Sequence, residues 1–146
     1  MKKLTKVFLL FLSISLIGCD NMTQHVSEEL IINFNAENLD SNYKKIQCFI
    51  FDIDRQALKN DISLTFDSIY PDSFDLRLNT MKVETSITKN VNNVTTTSSK
   101  AQFVKVQIEI SYKSELNESQ AFLIRDYCKE YLNKELTKQG YIIHTQ

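Results

Sequence analysis

The sequence predicts an α+β fold, an antiparallel sheet of about four to five strands with one long C-terminal helix packed on one face. Three observations carry that expectation. Val104, Val106, Ile108, Ile110 and Tyr112 alternate with Lys105, Gln107, Glu109 and Ser111, the pattern of a half-buried strand. A second alternating stretch begins at Phe74, Leu76 and Leu78. Farther on, Ala121, Ile124, Cys128, Tyr131 and Leu132 fall on one helical stripe, with Tyr127 and Leu136 at its edges.

The elements follow in order. Leu30-Ile31-Ile32-Asn33-Phe34 is a short candidate strand. Ile46-Gln47-Cys48-Phe49-Ile50-Phe51-Asp52-Ile53 is rich in branched and aromatic residues and reads as a central strand, buried on both faces. Ile62-Ser63-Leu64-Thr65-Phe66 alternates and leads into a turn at Tyr70-Pro71-Asp72. After Leu78 the alternation slips by one residue and resumes at Met81, Val83, Thr85 and Ile87, which places a β-bulge near Asn79-Thr80. The polar stretch from Lys89 to Ser99 is either the extended tip of a long hairpin or a mobile loop. Asn117 with Gln120 three residues later marks the start of the helix, and Gly140 marks its end. Tyr141-Ile142-Ile143 is a candidate final strand.

The N-terminus carries a separate signal. Lys2, Lys3 and Lys6 precede an apolar run, Val7 to Leu12 and on to Ile17, too short to cross a hydrocarbon layer of about 30 Å. It fits a cleaved export signal. Leu16-Ile17-Gly18-Cys19 resembles the lipobox of bacterial lipoproteins. That resemblance implies a signal peptide over 1–18, cleavage before Cys19, and acylation (palmitate) of the Cys19 thiol. It further implies a lipid anchor in a membrane of the cell envelope, with the body facing the periplasm. Asp20 stands where enterobacterial lipoproteins carry the inner-membrane retention signal, which favours that membrane over the outer one. Residues 19–28 then form a tether and 29–146 a single domain.

Loss of the three signal lysines leaves fourteen basic residues against eighteen acidic, a net charge of about −4. This balance argues against nucleic acid as a partner. With Cys19 lipidated, Cys48 and Cys128 remain. An even pair in an exported chain is the usual mark of a disulfide, here closing a loop worth about 4 kcal/mol. Two separate buried thiols are the alternative.

Phe49-Ile50-Phe51-Asp52-Ile53-Asp54-Arg55 resembles the first motif of haloacid dehalogenase-type phosphatases. The resemblance implies Asp52 as nucleophile, Asp54 as general acid, and magnesium between them. Arg55-Gln56 departs from the Gly-Thr or Thr-Val that the family carries there, and the rest of the chain lacks its alternating helices and parallel strands. Two acids at a strand's end are the reading kept. Asp61, Asp67, Asp72 and Asp75 extend the acidic series without the Gly-containing loop of a calcium site. His25 and His144 are the only histidines, and Gly140 is the only glycine after the signal, which removes Gly-rich phosphate loops. No enzyme, cofactor or metal site is expected.

The expected function is a non-enzymatic lipoprotein that binds a protein partner in the envelope. Two forms fit: an accessory subunit of a transport, secretion or conjugation apparatus, or an immunity or exclusion protein. A lipid- or small-ligand-binding lipoprotein is the alternative. Tyr112, Tyr127 and Tyr131 are the candidate partner contacts, because tyrosines on a half-exposed face make good anchors.

Overall fold

The computed structural model describes residues 24–91 and 94–145, so the signal segment, Cys19 and Asp20 lie outside the described residues. Among the described residues four antiparallel strands form one sheet in the order β2-β3-β1-β4, with three helices over one face. The α+β architecture and the long C-terminal helix across the sheet are as the sequence predicts.

Strand β1 (Gln24–Asn33) pairs with β3 (Val94–Tyr112) from Gln24↔Tyr112 to Asn33↔Phe103. Residues 24–28, read from sequence as part of the tether, therefore lie in the sheet. His25, Ser27 and Glu29 point to the open face, which gave this stretch its polar look, while Val26, Leu30 and Ile32 are buried. Glu28 also points inward and is held by Lys129 at 3.1 Å and Arg125 at 3.8 Å, both from the long helix.

The two middle segments overturn the strand reading. Ile46–Ile53 belongs largely to helix α1 (Leu39–Asp52), and Ile62–Phe66 to the end of helix α2 (Arg55–Thr65). Leu39, Ile46, Ile50 and Ile53 are buried, with Tyr43 and Phe49 packed beside them. That spacing is helical, and Cys48, Phe51 and Asp52 fall on the opposite, exposed side. Branched and aromatic residues favour strands only as a surface that suits a pleat, and burial of one helical face outweighs so weak a preference. In α2 the pair Leu58 and Ile62, one turn apart, makes the buried face. The Asp54 carboxylate accepts from the Ala57 backbone N–H at 3.0 Å and caps this helix.

Strands β2 (Phe74–Val91) and β3 form a hairpin whose pairing runs out to Val91↔Val94. The polar stretch is thus the extended tip of a long hairpin. No bulge occurs at Asn79-Thr80: the register passes unbroken through Leu78↔Ile108, Asn79↔Gln107 and Thr80↔Val106. The irregularity lies between Thr85 and Ser86. The slip of phase has another cause. Phe74, Leu76 and Leu78 lie under the helices, whereas Met81 and Val83 are apolar residues on the opposite face, where Val83 meets Phe103.

Helix α3 (Glu118–Lys138) begins with a full capping box: Gln120 N–H donates to the Asn117 side chain at 2.8 Å, and Asn117 N–H to the Gln120 side chain at 3.0 Å. It ends at Gly140, whose φ of 90° suits glycine. Ala121, Ile124, Cys128, Leu132 and Leu136 are fully buried against β1 and β3. Strand β4 (Ile143–Thr145) then returns to pair with β1 at Leu30–Ile32.

Truncating the centre of this stripe leaves a cavity in the packed layer between helix and sheet. Leu132→Ala is expected to lower unfolding stability by about 2–5 kcal/mol, and Asn117→Ala by about 1 kcal/mol. Equilibrium denaturation of both variants checks the ranking.

Candidate interaction surface

The three tyrosines part company. Tyr112, at the end of β3, is 4% exposed and belongs to the core, so its place as a partner contact is corrected. Its even position puts it on the inner face beside Val106, Ile108 and Ile110. Tyr127 and Tyr131 are half-buried on the flank of α3 and, with Glu130 and Lys134, line a shallow groove of about 210 Å³. Tyr127 meets Phe66 edge to face at a centroid distance of 5.9 Å, which fixes its ring. Burial, then the nearby Glu135 carboxylate, raises the Tyr131 hydroxyl above its usual value.

The expected Cys48–Cys128 disulfide is not formed; both cysteines are free. Cys48 is exposed on the outer side of α1, because the helix turns it away from Ile46 and Ile50. Cys128 faces the sheet from α3, as its stripe predicts, but the element above the sheet there is not a strand carrying Cys48.

The acidic motif is local structure rather than an assembled site. Asp52 is exposed at the last turn of α1, Asp54 caps α2, and the segment that leads into them is helix rather than strand. Among the described residues no group of three or more His, Cys, Asp or Glu side chains could hold a metal ion. Sequence reasoning missed one polar cluster, because it placed His25 in the tether. His25 Nδ1 lies 2.9 Å from Ser111 Oγ and 3.8 Å from Glu109 Oε1 on the open face, and Asp75 stands across from Ser111 on β2. The hydroxyl and the Glu109 carboxylate meet the same ring nitrogen, whereas a nucleophilic triad needs them on opposite nitrogens.

The largest departure from a plain sheet is the hairpin. Pairing of β1 to β3 ends at Asn33↔Phe103, with Phe34 N–H donating to the Gln102 carbonyl at 2.9 Å. Beyond that point β2 and β3 continue as a two-stranded arm from Glu84↔Gln102 to Val91↔Val94. At about 3.3 Å per residue the arm projects about 25 Å past the third strand. A two-stranded ribbon is marginally stable on its own, and among the described residues no third strand pairs with either edge of this one. The start of β1 and the arm lie at opposite ends of the sheet, since Gln24 pairs with Tyr112 and the arm leaves from Phe103.

The two thiols are expected to differ sharply in solution. Cys48 should alkylate readily in the native protein and Cys128 only on unfolding, measured by mass mapping with and without denaturant. Burial pushes the Cys128 thiol up from 9.0 to about 12. Below pH 9 it is protonated whether the chain is folded or not. As pH rises from there towards about 12, only the unfolded chain ionises, so stability falls by about 1.4 kcal/mol per pH unit. Cys128→Ala should remove that slope in pH-dependent denaturation curves.

No protein-family model, no curated protein and no solved structure matches this chain.

Proposed function

We propose that this chain is a lipid-anchored, non-enzymatic lipoprotein of the bacterial envelope that faces the periplasm and binds a protein partner through its projecting arm. The observation that carries this reading is the placement of the arm at the end of the sheet opposite Gln24. With Cys19 acylated, residues 20–23 are all that separate the lipid from β1, a span of at most about 14 Å. The sheet and arm together then set the arm's tip about 60 Å from the first paired residue. Anchoring and recognition then use different ends of one continuous hairpin.

A bare strand edge recognises a partner by main-chain hydrogen bonds, and side-chain pockets add specificity. The Tyr127–Tyr131 groove is a second, fixed aromatic surface for the same purpose. The space between helices and sheet, where a small ligand would lodge, is filled by Leu30, Ile46, Ile62, Phe74, Ile124 and Leu132. The protein-binding reading therefore stands ahead of the ligand-binding one. Asp20 favours the inner membrane. The partner's identity distinguishes an accessory subunit of an envelope apparatus from an immunity protein.

Two experiments test this. In a mild-detergent pull-down from the native envelope, wild type should recover one stoichiometric protein. A variant with residues 86–100 replaced by a two-residue Asn-Gly turn, which keeps Thr85 opposite Ala101, should recover at least tenfold less, with a melting temperature within a few degrees of wild type. Equal recovery by both would remove the arm from the interface. Separately, Cys19→Ala should abolish palmitate labelling and shift the protein from the membrane to the soluble fraction; unchanged membrane association would defeat the anchor.

A further inference from the structure

The near end of β2 carries a second open edge, distinct from the arm. In the sheet order β2-β3-β1-β4 the strand is terminal, and among the described residues no strand pairs with its outer side. A sheet edge of this kind invites another strand unless charge, proline or a bulge forbids it. Pro71 lies before the strand and the register irregularity lies beyond Thr85, so Phe74–Asn79 has neither. Its only guards are Asp75 and Arg77 on the open face, exposed and 3.7 Å apart.

We propose that this edge pairs with the same edge of a second copy of the chain, antiparallel and centred on Leu76. In that register each Asp75 lies opposite the partner's Arg77, and each Arg77 opposite the partner's Asp75, so two opposite-charge pairs form on one face. The charge pattern selects this register alone. A shift of two residues one way sets Asp75 against Asp75, and the other way sets Arg77 against Arg77. A shift of one residue would turn one copy's apolar face to the wrong side. Parallel pairing in register opposes like charges throughout.

The rest of the edge agrees. Phe74 meets the partner's Leu78, and Leu76 meets Leu76, so the inner faces join across the dyad. A groove of about 220 Å³ between α1 and this edge, lined by Gln47, Ile50, Phe51, Arg55, Leu78 and Asn79 with Thr80, opens level with the partner's Ser73 and Phe74. Phe51 at its rim is 79% exposed in the single chain. Lys82 and Glu84 offer no competing register, because Lys82 is taken by Asp40 at 2.6 Å and by its own Glu84 at 3.1 Å. The dyad passes close to both N-terminal ends, since Phe74 and Gln24 share Tyr112 as neighbour. Both anchors then sit beside the dyad, and the two arms project in opposite directions.

The test is co-expression of the full-length chain with two different affinity tags, followed by detergent extraction and quantification of one tag pulled down by the other. Wild type should associate. Asp75→Arg in both copies, or Arg77→Asp in both, should reduce recovery at least tenfold, because both pairs become like-charged. Asp75→Arg in one copy with Arg77→Asp in the other should restore it to within about twofold of wild type, which mere misfolding would not do. A monomeric wild type overturns the proposal. So does association that survives both reversals, a crossed pair no better than either variant alone, or recovery of a different protein in place of the second copy.

Discussion

The packing of α3 on the inner face of β1 and β3 is the contact on which the rest depends. Ala121, Ile124, Cys128, Leu132 and Leu136 present an unbroken apolar stripe, and Leu30, Ile32, Val104, Val106 and Ile108 meet it from below. A sheet of this size holds together only if one face is dry, because backbone pairing alone contributes little net free energy. Helix α3 supplies that cover for the central strands. Its ends are then constrained in turn: the capping box starts it level with Leu116, and Gly140 turns the chain so that β4 reaches β1. The ion pairs from Arg125 and Lys129 to Glu28 border the stripe and keep an inward carboxylate from being stranded.

Helices α1 and α2 solve the same problem for the outer strand. Phe74, Leu76 and Leu78 would face solvent if only α3 were present, and Leu39, Ile46, Ile50, Leu58 and Ile62 complete one continuous core with them. The tight turn at Ile53-Asp54 lets the two short helices share this work, with Asp54 satisfying a backbone N–H at the start of α2. The cover stops where the helices stop. Past Thr80 the inner face of β2 becomes polar, with Lys82 reaching Asp40 at the start of α1, and the hairpin leaves the body of the domain as an arm. One hairpin therefore has two regimes: a buried half that belongs to the core, and a projecting half beside which no other described strand lies.

That division is what makes a binding function physically sensible for so small a domain. The covered half carries the apolar core, and the uncovered half, among the described residues, has no third strand beside it and lies at the end of the sheet away from Gln24. Among the described residues three side chains with acid–base chemistry have local roles. Asp54 is a cap, Cys128 is a buried neutral thiol, and His25 shares a single ring nitrogen between Ser111 and Glu109.

The lipobox resemblance rests on local residue order alone, and so do the start and stop of α3 and the alternation of β3. Each is written in neighbouring residues: Asn117 with Gln120, Gly140, and five apolar positions spaced by two. The Tyr127 and Tyr131 flank was legible for the same reason, since helical spacing gives a side chain's direction. The fate of 46–53 and 62–66 was not. Those segments satisfy strand preference residue by residue, yet Leu39, Ile46, Ile50 and Ile53 also satisfy a helical period, and only the presence of an uncovered outer strand decides between them. The same holds for the tether that became half of β1, and for the slip of phase that marks the end of the helical cover rather than a bulge. It holds again for Cys48, turned outward by a helix the residue types did not announce. Local geometry is set by neighbours in the chain, but which of two permitted geometries forms is set by what must be buried, and that is a property of the assembled domain.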